Sequence, residues 1–97
     1  MIKFEKLLER AKTKNIVVYT PTEKQAITLL KAVDKKGYRW ASGTKPSAET
    51  YYKIYEGRTC YDFELKNQIC YGSLSFYQKE GYTIIEFVNI DFEEETK

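Results

Sequence analysis

Histidine is absent from all 97 residues of this chain. That removes the commonest general base, the usual nucleophilic triads and most catalytic zinc sites. Cysteine is scarce: Cys60 and Cys70 are the only two, too few for a structural zinc site without histidine. No apolar run approaches the roughly 20 residues that span a bilayer. The opening Met1-Ile2-Lys3-Phe4-Glu5-Lys6 lacks the apolar core of a signal peptide. The expected location is therefore the cytoplasm, away from membranes, with both cysteines as free thiols. Phosphate loops are missing as well. Ser42-Gly43-Thr44-Lys45 has phosphate-friendly residue types without the P-loop spacing, and no Gly-x-Gly-x-x-Gly occurs. No zinc finger, helix-turn-helix or RNA-recognition aromatic motif is visible. These absences point to a noncatalytic chain with no metal and no cofactor. They do not touch carboxylate chemistry. Asp62, Glu64 and Glu86 could converge on neighbouring strands, although acids in strands are commonly just an exposed face.

What is present describes one folded domain spanning residues 1–97. The apolar fraction is 42% and the charged fraction 31%, ordinary for a folded soluble protein. Nine tyrosines lift the aromatic share to 15%, which argues against disorder and supplies flat side chains with hydrogen-bonding tips. Charge is uneven. Residues 1–58 hold thirteen Lys/Arg against six Asp/Glu, and residues 59–97 hold three against eight. The first part is thus basic enough to attract an anion without requiring one. Residues 91–97 form an acidic tail expected to fray.

Periodicity sets out the elements. Apolar residues at 4, 7, 8 and 11 predict a helix. Residues 15–20, β-branched and nearly all apolar, predict a central strand. Thr20-Pro21-Thr22-Glu23 reads as a helix start with Thr20 as cap, and Gly37 as the left-handed close. Tyr38-Arg39-Trp40 then reads as a second strand, which makes a right-handed parallel βαβ unit. Residues 41–50 are a loop, and residues 48–55 fit either a short helix or an irregular strand. Residues 58–63 and 68–71 form a hairpin around Lys66-Asn67. With a two-residue turn, Leu65 faces Gln68 and Cys70 faces Phe63, so Cys60 and Cys70 lie on opposite sheet faces. One extra loop residue would reverse that placement. A short helix capped by Ser73 and a last strand at residues 82–87 follow. The expected class is α+β: helices on one mixed sheet, with a βαβ-like N-terminal half and a hairpin-helix-strand C-terminal half.

The most site-like stretch is Tyr38-Arg39-Trp40-Ala41-Ser42-Gly43-Thr44-Lys45-Pro46-Ser47. It joins the only tryptophan, two cations, hydroxyls and a glycine at a predicted strand end, where open α/β sheets often bind ligands. Trp40 or a tyrosine would stack a base, with Arg39, Lys45 or Arg58 meeting phosphate and Ser42 and Thr44 hydrogen-bonding around it. Tyr71 and Ser73 repeat the mixture at another strand end. The bland alternatives are a Trp40 core anchor, turn chemistry for the hydroxyls, and packing or a homo-oligomer interface for Tyr51, Tyr52 and Tyr55.

Trp40-Ala41-Ser42-Gly43, Cys60-Tyr61, Tyr71-Gly72-Ser73, Phe76-Tyr77 and Gly81-Tyr82-Thr83-Ile84-Ile85-Glu86-Phe87 together resemble a pattern in small proteins encoded by phages and prophages. The likeness spans about residues 15–90. It implies a counter-defence factor working in the host bacterial cytoplasm. One form would be a sponge for an immune nucleotide messenger such as a cyclic nucleotide. The other would be an anti-CRISPR-type inhibitor that contacts a host defence nuclease, with Asp91, Glu93, Glu94 and Glu95 mimicking nucleic acid.

Overall fold

The apolar run at residues 16–18 does lie at the centre of the molecule: Val17 and Val18 are fully buried and Ile16 nearly so. The computed structural model describes residues 1–64 and 67–93. Along the chain come β1 (Ile2–Lys3), α1 (Phe4–Ala11), β2 (Ile16–Thr20), α2 (Glu23–Lys35), α3 (Tyr52–Tyr55), β3 (Thr59–Glu64), β4 (Gln68–Ser73), α4 (Leu74–Lys79), β5 (Thr83–Glu86) and β6 (Ile90–Asp91). The main sheet has the order β4-β3-β2-β5. Its β2–β3 and β3–β4 pairs are antiparallel and its β2–β5 pair is parallel. A two-stranded parallel sheet, β1 with β6, sits apart. The class is α+β, with helices packed on one mixed sheet.

Alternation along the strands divides the core in two. Ile16, Val18, Tyr61, Phe63 and Ile69 pack with Phe4, Leu7 and Leu8 of α1 and Ala26, Leu29, Leu30 and Val33 of α2. Val17 and Cys60 point the other way, onto Tyr77 of α4. Both faces of the sheet are therefore covered, which is why β2 is almost continuously apolar.

Several expectations need correction. The cap of α2 is Thr22, whose hydroxyl accepts from the Gln25 amide. Thr20 is instead the buried last residue of β2, and its hydroxyl donates to the Thr59 carbonyl at 3.1 Å. Residues 38–40 do not form a strand beside β2. Arg39 makes a single parallel bridge to Gln68, on the far side of β4. The βαβ order survives, but its third limb is reduced to one residue at the opposite edge. Glu64 pairs with Gln68 and Asp62 with Cys70, one step out of the expected register. Cys60, Asp62 and Cys70 consequently share one face, and both cysteines are free thiols. Leu65 and Lys66 lie outside the described residues. Residues 48–55 are neither a single helix nor a strand: a 3-10 turn at Pro46–Ala48 and a second at Glu56–Arg58 flank the one-turn α3. The start of the acidic tail is structured, because Asp91 belongs to β6 and meets the Lys3 ammonium at 3.4 Å. Residues 94–97 lie outside the described residues. Among the described residues no helix is long and apolar enough to cross a membrane.

Candidate functional site

Trp40 was the centre of the predicted site, and it is core. Only 5% of its surface is exposed. Its indole N–H donates to the Glu49 carbonyl at 2.8 Å and the Pro46 carbonyl at 3.3 Å. Tyr51 and Tyr71 meet its ring edge-on, at centroid distances of 4.8 and 5.9 Å. No ring face is left for a base to stack on. The loop around it is closed by its own hydrogen bonds. The Gly43 amide donates to the Trp40 carbonyl and the Trp40 amide to the Thr44 carbonyl. Gly43 takes φ +89 to permit this. Ser42 and Thr44 bond one another. Ser47 bonds Asp34 through its hydroxyl and its amide, which fastens the loop to α2.

The remaining predicted residues scatter. Tyr38 is buried edge-on to Phe63. The Arg39 guanidinium bonds the Tyr38 carbonyl at 2.7 Å. Lys45 and Arg58 are exposed on separate turns. Ser73 caps α4 by accepting from the Phe76 amide. Beyond contacts within residues 38–45, the fold brings Tyr71 of the predicted set onto Trp40. With Tyr51 and Tyr55 they make a half-buried aromatic cluster, in which Tyr51 and Tyr71 stack at 4.8 Å and 4°. Desolvation first, then the neighbouring Tyr51, Tyr55 and Glu49, raises the Tyr71 pKa.

Asp62 and Glu86 lie on strands at either side of β2, and the Glu64 side chain lies outside the described residues. Asp62 and Ile84 both register with Val17, on either side of β2. Glu86 lies two residues beyond Ile84. Two strand spacings, about 9.6 Å, therefore separate the acids at the least. Asp62 is nearly buried and engages the Tyr77 hydroxyl.

A different combination of ring and cation occurs where α1 and α2 splay apart. Phe4, Ala32 and Phe92 floor a depression of about 280 Å³, and Thr28, Lys31, Lys35, Lys36 and Glu5 form its wall. Phe92 packs at 5.1 Å from both Phe4 and Phe87. Lys31 and Lys35 stand one helical turn apart, so both point along the same face of α2. Lys36 is tied to Glu5 at 3.4 Å. Beyond that ion pair a second, wider depression is lined by Leu8, Glu9, Lys12, Tyr38 and Asn67 along with Glu5 and Lys36. Lys31 and Lys35 carry a readable helical spacing in the sequence. Phe92 carries none, since it sits inside an acidic stretch. The chain matches no family model, no curated protein and no solved structure.

Proposed function

We propose that this chain is a noncatalytic binding protein that sequesters a nucleotide-type ligand, held in the α1–α2 depression rather than at the Trp40 loop. One observation carries the reading: a phenylalanine floor rimmed by three lysines. A base or sugar would lie against Phe92, and phosphate would meet Lys31 and Lys35. The electrostatic sum favours an anion. Three lysines outweigh Glu5 and the roughly half negative charge at the C-terminal end of α2. A passive binder of this kind suits phage counter-defence, in which an immune messenger is held away from its receptor. The pattern likeness to phage-encoded proteins supports that setting.

Calorimetry against cyclic di- and oligonucleotides and ADP-ribose derivatives tests it. Each lysine near a phosphate contributes about 1 kcal/mol in a water-like dielectric. Lys31→Ala and Lys35→Ala should therefore each weaken binding about fivefold, and Phe92→Ala should weaken it further. No binding to any member of the panel at micromolar concentration would sink the proposal. A second reading, an inhibitor that contacts a nuclease directly, is favoured by the tyrosine cluster beside Ile54, whose side chain is 56% exposed. Capture of a nuclease subunit, lost on Ile54→Asp, would support it.

A further inference from the structure

The two edges of the main sheet differ. At β4 the outer edge is covered at its start: the Arg39 amide donates to the Asn67 carbonyl and the Ile69 amide to the Arg39 carbonyl, each at 3.0 Å. At β5 the outer edge has no partner strand among the described residues. The Thr83 amide donates to the Asn15 carbonyl at 2.8 Å, towards β2. Alternation then turns the Thr83 and Ile85 backbone groups inward and those of Ile84 and Glu86 outward. β5 is short, four residues with Glu86 at its end, but it has no proline, lysine or bulge. Beside it runs a depression of about 440 Å³ lined by Met1, Ile2, Arg10, Asn89 and the consecutive residues Ile84, Ile85 and Glu86. Met1 is 90% exposed, and Val88, two residues beyond β5, is 59% exposed.

We infer that this edge is a homodimer interface, on which β5 of a second copy of this chain pairs antiparallel to join two sheets into one. The charge pattern is self-complementary. Arg10, in the last turn of α1, lies five residues before Asn15, which pairs with Thr83, so it marks the Thr83 end of β5. Glu86 marks the other end. Antiparallel pairing sets the Thr83 end of one copy beside the Glu86 end of its partner, so each Arg10 faces a glutamate across the two-fold axis. An isologous interface requires that reciprocity. The outward amide and carbonyl of Ile84 and the Glu86 amide bond across the axis, the Glu86 carbonyl sharing its acceptor with the 3-10 turn at Phe87–Asn89, and Met1, Ile2 and Val88 supply apolar flanks. The inference does not rest on the nucleotide reading, since the depression between α1 and α2 lies elsewhere.

Light scattering of the full chain, from low micromolar to sub-millimolar concentration, tests it. The mass should rise from monomer to dimer. Arg10→Glu alone and Glu86→Arg alone should each shift that transition upward at least tenfold, because like charges then meet. An equimolar mixture of the two should restore dimerisation, because every Glu then meets an Arg. Ile84→Pro removes an outward amide without touching the β2 pairing and should abolish the dimer with helical content unchanged. A wild-type chain that stays monomeric throughout overturns the inference. So does a dimer indifferent to the charge swaps.

Discussion

Single residues in this chain are explained by what their polar tips reach. Trp40 is the clearest case. Its N–H is satisfied by two loop carbonyls and its ring is enclosed by tyrosines. It holds residues 46–51 down on the sheet. Trp40→Ala should therefore cost about 3–5 kcal/mol of stability, read from urea unfolding. Indole fluorescence in the native chain should be poorly quenched by acrylamide. Nucleotide affinity, measured where the variant is still folded, should be unchanged. A variant of near-native stability that loses affinity would return Trp40 to the site. The sequence could not separate these roles, because the same Trp-Ser-Gly-Thr-Lys composition serves a ligand loop and a closed turn. The deciding contacts, Tyr71 and Glu49, come from other parts of the chain.

At the scale of elements, the strands and helices with strong periodicity were legible and the junctions were not. Residues 4–11, the central strand and the hairpin-helix-strand half follow their patterns closely. The errors fall where a neighbour one residue away offers the same chemistry. Thr22 replaces Thr20 as cap because Thr20 is needed in the sheet, where it bonds Thr59. The hairpin register moved by one, which put both cysteines on the face that α4 covers. That face is tightly filled at Gly72. A methyl group there would sit 3.0 Å from Tyr77 Cε2 and 3.2 Å from its Cζ. Tyr77 is buried and held by Asp62, so it cannot move aside. Gly72→Ala should cost about 1–3 kcal/mol, seen as a lowered Tm. An unchanged Tm would show that α4 is loosely seated.

For the molecule as a whole, the unusual feature is how many ionisable rings and thiols are sealed inside. Burial pushes the Cys60 thiol up to about 12. It also raises the Tyr61 and Tyr77 hydroxyls well above the usual phenol range, and Tyr77 is raised further by Asp62 and Cys70. The sign follows directly. The folded state favours the neutral forms, whereas the unfolded chain ionises at about pH 8.5–10. Stability from these groups is complete below those values and is lost as pH rises towards the folded-state values; for Cys60 that window is about 9 to 12. Unfolding midpoints in urea should fall steadily above pH 9. The tyrosinate absorbance should rise in two stages, the later one with unfolding. A midpoint flat to pH 11 would contradict this picture of the core.

The proposed binding of a nucleotide-type ligand between α1 and α2 can be located residue by residue. Amide shift mapping of the isotope-labelled chain, titrated with the nucleotide that binds most tightly, tests it most directly. Saturable shifts should concentrate at Thr28, Lys31, Ala32, Lys35 and Phe92, with residues 40–45 unmoved. Shifts confined to residues 38–45, Arg58 and Tyr71, or none at saturating ligand, would contradict it.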